Sequence, residues 1–174
     1  FTDSLAQGHL PRILAALPDF AAGRMPDAGT RQALMEASAM AGVAISNVRT
    51  GLIHTLGESL AAQCHLPHPL TLRVFLPAAM ASYAPAIAGR TQALWRTADA
   101  VAPRAVPWSP ETFVAAWSEA FAALGLDRRI AEAFAATPVS LDHLCTTAAR
   151  DTTLAKENPL PLDAGALRLV AAAA

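Results

Sequence analysis

The chain has 174 residues, of which 53% are hydrophobic and 16% charged, and its formal net charge is −1. This composition supports a buried core and excludes intrinsic disorder, and the length fits one domain covering residues 1–174. The near-neutral charge and the lack of a basic run argue against nucleic acid or an anionic membrane as partners. Proline and polar residues interrupt every apolar run of about 18 residues, so the sequence predicts no transmembrane helix.

The two cysteines, Cys64 and Cys145, lie far apart and form no CxxC motif. This usage predicts reduced thiols in a cytoplasmic protein. The chain begins at Phe1 rather than at methionine, and no signal-peptide pattern is present. We therefore expect Phe1 to be the edge of a fragment.

Apolar residues recur at helical spacing along the chain, and no segment alternates with period two. Asp3 is expected to cap the first helix, which Pro11 should kink. The Leu66-Pro67 step must break the helix that contains His54. The pattern predicts an all-α fold, a bundle of eight or nine helices. Their expected ranges are 3–17, 27–47, the His54 helix ending near 63, 70–82, 85–100, 110–125, 127–135, 140–150 and one starting at 163.

Two histidines have surroundings that suggest chemistry. His54 lies within the apolar helical run GLIHTLGESLAA, and His68 follows the proline turn at the start of the next helix. This arrangement can direct two imidazoles at one point, and imidazole is the commonest protein ligand of Zn²⁺ and also suits Fe²⁺. We interpret the pair as metal ligands, although a single histidine such as His54 is more often a packed core residue. Divalent metals need at least three protein ligands, so the pair is incomplete.

Charged neighbours extend this candidate site. Glu58 lies one helical turn after His54 and could be a third ligand, a proton acceptor or a partner that orients the imidazole; a solvated carboxylate is the alternative. Arg49 and Arg73 could receive an anionic substrate group, whereas arginines at helix ends are usually solvated or paired. His65 is expected at the surface. The remaining histidines are interpreted as structural or exposed: His9 and His143.

Several short motifs follow one another between residues 37 and 77. Residues 37–47 have the form A-S-x-x-A-G-x-A-x-S-N, and Gly51-Leu52-x-His54, Leu66-Pro67-His68 and Leu76-Pro77 follow. The step from His54 to His68 is fourteen residues. In these features the chain resembles the C-terminal half of an iron-containing (group III) alcohol dehydrogenase. The segment 151–162, with its Asn-Pro step, resembles the closing segment of that family.

The resemblance implies the helical C-terminal domain of a two-domain enzyme with the dehydroquinate-synthase-like fold. It implies that His54 and His68 are the family's two later metal ligands, with Fe²⁺ as the first choice and Zn²⁺ as the second. The other two ligands, in a D-x-x-x-H motif, and the N-terminal domain that binds NAD(P) would lie upstream of Phe1. The implied reaction is hydride transfer between NAD(P) and a small alcohol or aldehyde, with the metal as Lewis acid. The resemblance leaves a homodimer open.

Departures from the family pattern mark two further candidate catalytic residues. Glu58 stands where many members have a second histidine, and Arg49 stands where a small residue is more usual. Pro69 replaces the common glycine after the second histidine. We expect Arg49 to accept an acidic group on the aldehyde, and we expect this chain to be inactive without its N-terminal domain. The alternatives are a catalytically silent helical interaction domain and a metal-dependent lyase or synthase of the same superfold.

Overall fold

A computed structural model describes residues 2–48, 50–150 and 164–174. These residues form eight α-helices and no strand, which confirms the predicted all-α class. The helices are α1 (Thr2–Ala21), α2 (Ala28–Asn47), α3 (Leu52–Cys64), α4 (His68–Val101), α5 (Pro110–Ala123), α6 (Leu126–Ala136), α7 (Leu141–Ala149) and α8 (Ala164–Ala172). The segment from Asp151 to Asp163, with the Asn-Pro motif and the expected cap of α8, lies outside the described residues.

The chain divides into two compact units. The first unit comprises Phe1–Val48 and Ile87–Gly125, and the second comprises Arg49–Ala86 and Leu126–Ala174. Each unit has its own buried core. That residues 1–174 form one metal-binding domain stays a prediction.

Capping residues stand at three of the predicted helix starts, whereas the expected cap Asp3 lies inside α1, which already begins at Thr2. The Asp27 carboxylate accepts a hydrogen bond from the Thr30 N–H at 2.7 Å and so caps α2. Ser109 and Ser140 accept equivalent bonds at the starts of α5 and α7. Each cap satisfies a backbone N–H that has no partner within its helix, which is why the sequence predicts these starts correctly.

Prolines caused the main errors in the predicted helix ranges. Two helices, 70–82 and 85–100, were expected, but α4 continues from His68 to Val101 with Pro77 and Pro85 inside it. Likewise α1 continues through Pro18 to Ala21, where a loop was expected. A proline removes one helical hydrogen bond, and the surrounding alanine-rich segments have a high enough helix propensity to continue past it.

The length of α4 bears on the prediction that the chain has no transmembrane helix. Its most apolar 18-residue window has a mean hydropathy of 1.3, so length and composition alone would let it cross a membrane. One such helix is weak evidence, because core helices of soluble proteins pass the same test. The absence of a membrane span therefore stays a prediction.

The core of the first unit lies between α1, the end of α4 and α5. Leu14 and Leu17 of α1 pack in one cluster with Trp108, Ala98 and two alanines of α5. Aromatic residues at helical spacing on α5 extend this cluster: the ring centres of Phe113 and Trp117 are 6.3 Å apart, and those of Trp117 and Phe121 are 5.9 Å apart.

The core of the second unit is built on α3. Leu52, Leu56 and Leu60 of α3 are almost fully buried. Residues of α4, α7 and α8 complete the core, namely Phe75, Leu144, Cys145 and Leu167. Cys64 and Cys145 are both buried and both free, as the sequence predicts.

A glycine allows α3 and α4 to approach closely. A Cβ atom added at Gly57 would lie 2.8 Å from Leu72 Cδ2 and 3.2 Å from Thr71 Oγ1. Real Cβ atoms do not approach a neighbour within 3.0 Å, so a larger residue requires the Leu72 side chain or α4 to shift. Gly57 therefore allows a close contact between the two helices that carry His54 and His68.

We expect Gly57→Ala to lower the free energy of unfolding by about 1–3 kcal/mol, because the added methyl group overpacks the contact with α4. Gly8→Ala is the matched control, since nothing lies within 4 Å of a Cβ atom at that helical position. The control should raise the free energy of unfolding by about 0.5–1 kcal/mol. Urea unfolding followed by circular dichroism measures both. An equal change in the free energy of unfolding in the two variants would contradict the close contact of Gly57 with α4.

Candidate metal centre

The turn between α3 and α4 sets the direction in which each neighbouring histidine points. α3 ends at His65, which has the left-handed φ of +54° and donates its N–H to the Ala61 carbonyl at 3.1 Å. The Leu70 N–H donates to the Pro67 carbonyl at 2.8 Å and begins the first turn of α4. Pro69 fits this first turn, where a backbone N–H has no helical partner.

A tyrosine of α4 fixes the start of α3. Gly51 is the N-cap of α3 and has no side chain to accept a hydrogen bond. The hydroxyl of Tyr83 instead accepts the Leu52 N–H at 3.2 Å. Tyr83 is half-buried, and this burial raises the pKa of its hydroxyl above the usual 10.0. The bond therefore ties α4 to the helix end that precedes His54.

Sequence reasoning missed Tyr83. It is the only tyrosine in the chain, and it lies in an otherwise apolar and small-residue segment of α4. A single polar hydroxyl in such a segment is the available signal, because buried tyrosine hydroxyls usually find a hydrogen-bond partner. The partner itself, 31 residues away, cannot be read from local pattern.

His54 and His68 lie side by side in the second unit. Their ring centres are 5.5 Å apart, and the ring planes make an angle of 52°. His54 is half-buried in the first turn of α3, and His68 is exposed as the first residue of α4. The structure thus brings together the two histidines that the sequence singled out.

This separation fits two ligands of one ion. The centre of a zinc-bound imidazole lies about 3.2 Å from the ion, since the Zn–N bond is about 2.0–2.1 Å and the ring radius adds the rest. Two rings on one ion therefore have centres about 5.2 Å apart at the tetrahedral angle, and at most about 6.4 Å apart. The observed 5.5 Å lies within this limit.

The surroundings of His54 favour the neutral imidazole, which is the form that binds a metal. Burial lowers its pKa from the usual 6.5, the neighbouring His68 lowers it further, and the negative charge of Glu58 raises it. Because folding favours the neutral form, the contribution of His54 to stability is present above pH 6.5. That contribution is lost as the pH falls from 6.5 through the lower pKa of the folded state.

Glu58 is exposed on α3 and lines a small cavity. The cavity has a volume of about 240 Å³, and α7 forms its other wall. Thr55, Ser59 and Thr147 contribute hydroxyl groups to it. A carboxylate in this position can hold or exchange a proton close to His54, which is one of the roles that the sequence left open.

The other charged candidates separate into three cases. Arg49 lies outside the described residues. Arg73 forms an ion pair with Asp127, with an N–O distance of 3.6 Å, so it behaves as a paired arginine. His65 and His143 are exposed, as expected, and His9 is half-buried in the first unit.

A third ligand was not found in the described part of the chain. Among residues 2–48, 50–150 and 164–174, no group of three or more histidine, cysteine, aspartate or glutamate residues is arranged to hold a metal ion. That further ligands come from elsewhere in the protein stays a prediction.

Comparison with known protein families decides the affiliation of the chain. Residues 1–167 match the family model for the C-terminal region of Fe-containing alcohol dehydrogenases. The chain belongs to the iron-containing alcohol dehydrogenase family. The match includes both histidines and all of α1 to α7.

Individual relatives in the family share parts of this chain. A probable alcohol dehydrogenase, EutG, of Escherichia coli (strain K12) is 40% identical over 80 residues, which is 46% of this chain and 20% of the relative. The EutG of Salmonella typhimurium (strain LT2) is 39% identical over the same length. The sulfoacetaldehyde reductase of Bilophila wadsworthia (strain 3_1_6) is 41% identical over 51 residues, 29% of this chain and 13% of the relative. The matched region thus spans a fifth or less of each relative.

We expect His54 to titrate with a midpoint below 6.5 in the metal-free protein, because burial and His68 both disfavour its charged form. Histidine NMR signals followed against pH measure this midpoint. Glu58→Gln should lower it further by removing the negative charge, and His68→Ala should raise it. A midpoint that did not respond to either substitution would contradict the electrostatic coupling of the three residues.

Proposed function

We propose that this chain is the helical metal-binding portion of an NAD(P)-dependent alcohol dehydrogenase or aldehyde reductase. The observation that carries the proposal is the 5.5 Å separation of the His54 and His68 rings in a chain of this family. The names of the relatives, alcohol dehydrogenase and sulfoacetaldehyde reductase, support an oxidoreductase over the lyase or synthase alternative.

His54 and His68 would hold the divalent metal, Fe²⁺ first and Zn²⁺ second. Bound there, the ion would supply Lewis-acid polarisation of the substrate oxygen. The protein's own task is to favour the neutral form of His54 and to keep both imidazoles correctly spaced. Burial of His54 contributes to the first requirement, and the contact at Gly57 contributes to the second.

Glu58 would act as the proton acceptor and donor of the site. Its carboxylate lines the cavity beside α3, one helical turn from His54. A proton must leave the alcohol in oxidation and return in reduction, and a carboxylate within reach of a histidine can carry it. Many family members have a histidine at this position. The proposed proton transfer through the Glu58 carboxylate would therefore differ from that of those members.

A nucleotide-binding domain would supply NAD(P) and the remaining metal ligands. The exposed face of α2 is a suitable docking surface for it. Met35, Ala39, Gly42 and Ser46 follow one another at helical spacing on this face, and all four are exposed, with Met35 75% accessible. Apolar residues left exposed in this way usually mark an interface. A second copy of the chain in a homodimer is the alternative occupant.

Other properties follow from the same proposal. The chain alone would not turn over substrate, because two imidazoles leave the metal shell incomplete and the dinucleotide would bind to the other domain. Free buried thiols at Cys64 and Cys145 are consistent with a cytoplasmic enzyme.

We expect His54→Ala and His68→Ala each to abolish stoichiometric metal binding in the full-length protein, since each removes one ligand. They should lower NAD(P)H-linked aldehyde reduction by at least about 100-fold, because loss of a ligand should exceed the roughly 10–100-fold cost of losing only a hydrogen-bond partner of a ligand. Metal content by mass spectrometry and the rate of NAD(P)H oxidation measure the two effects.

His65→Ala and His143→Ala are the matched controls, since both histidines are exposed and neither is a proposed metal ligand. They should retain metal and activity. Full metal content in His54→Ala or His68→Ala would end the proposed metal role, and retained metal with no hydride transfer in the unmodified protein would favour a silent helical domain.

Arg49 provides a test of substrate charge. The sulfoacetaldehyde named in one relative is an anionic aldehyde, which supports an acidic substrate here. We expect Arg49→Ala to lower kcat/KM for an aldehyde with a carboxylate or sulfonate by about tenfold or more relative to a neutral aldehyde of equal length. Arg150→Ala, at an exposed position in the second unit, is the control. An unchanged ratio in Arg49→Ala would remove Arg49 from substrate recognition.

A further inference from the structure

The first unit contains a cavity of about 470 Å³ that does not include the two histidines. Its walls are the second half of α1, the segment that follows α4, and α5. The lining is largely apolar, with Leu14, Leu17, Val101 and Ala116 among its residues. The volume falls within the range of about 300–1,000 Å³ that is typical of small-molecule sites.

Trp108 gives this cavity a fixed wall. Its backbone N–H donates to the Asp99 carboxylate at 2.7 Å, and its indole N–H donates to the Ala102 carbonyl, also at 2.7 Å. The side chain is only 7% exposed. Both polar groups of Trp108 are therefore satisfied, and the indole is held in one position before any ligand arrives.

Arg104 is held against that wall. Its guanidinium carbon lies 4.5 Å from the centre of the Trp108 ring, and one N–H donates to the Thr112 carbonyl at 3.3 Å. Within the described residues Arg104 makes no ion pair. A guanidinium has five N–H donors in a rigid fork, so a planar pair of acceptors can still bind to it.

We propose that this cavity binds a small-molecule monocarboxylate with an apolar tail, the carboxylate on Arg104 and the tail against α1 and α5. A carboxylate matches the forked geometry of a guanidinium better than any other common organic anion except phosphate. Ten of the twelve lining residues are uncharged, and they are mostly aliphatic, which favours an aliphatic tail. Glu119 also lines the cavity and opposes a second negative charge, so a dicarboxylate or a phosphate dianion fits less well.

Octanoate is a suitable probe, with octanol and octylamine as ligands of equal chain length. Isothermal titration calorimetry on the full-length protein measures the three dissociation constants. We expect octanoate to bind at least about tenfold more tightly than octanol or octylamine, because a charged hydrogen bond adds about 1.5–3 kcal/mol. Equal affinity for the three probes, or no binding of octanoate, would overturn the proposal.

Substitutions distinguish binding of the carboxylate to Arg104 from nonspecific hydrophobic binding. Arg104→Gln should weaken octanoate binding about tenfold or more, whereas Arg96→Gln, at an exposed position of α4, should leave it unchanged. Glu119→Gln should tighten binding by removing the opposing charge. If Arg104→Gln fails to fold, the Glu119→Gln result still decides: weaker or unchanged binding would contradict a carboxylate at this position.

Discussion

The close approach of α3 and α4 at Gly57 is the constraint on which the candidate site depends. Without a side chain at Gly57, the backbone of α4 near Thr71 and Leu72 can lie against α3. Tyr83 ties the other end of the pair by accepting the Leu52 N–H. With both ends fixed, the half-buried His54 and the first residue of α4 have little freedom to separate. The spacing of the imidazoles is thus a packing property of the helix pair.

The backbone between the helices decides which histidine joins His54. His65 and His68 are only three residues apart, and either could have completed the pair on spacing alone. His65 adopts the left-handed conformation that ends α3, which takes it out of the helical path. His68 comes after Pro67 and starts α4, where the Thr71 hydroxyl donates to its carbonyl at 2.8 Å. The left-handed end and the proline step therefore separate the two exposed histidines and place His68 beside His54.

The sequence predicted those features that depend on local chemistry. The caps Asp27, Ser109 and Ser140 each satisfy a neighbouring N–H, so local pattern was enough to locate them. The Leu66-Pro67 step predicted the break after α3. The order of helix, proline turn and helix predicted that His54 and His68 converge. Local pattern failed at Pro85, where helix propensity over a long segment outweighed one missing hydrogen bond. Local pattern could not predict the hydrogen bond between Leu52 and Tyr83 or the contact of Gly57 with α4, because both depend on packing between residues distant in sequence.

In the proposed metal site, two imidazoles from one helix pair would form an incomplete set of ligands, and this incompleteness would have a physical consequence. A two-ligand site binds a divalent ion weakly by itself, so metal affinity depends on ligands supplied by another part of the protein. Metal binding would then be coupled to docking of that part, since each ligand set raises the affinity for the other. The negative charge of Glu58 favours a nearby cation, while burial and His68 lower the pKa of His54. The electrostatics of the second unit around His54 and Glu58 therefore suit the proposed metal, whose remaining ligands another part of the protein would supply.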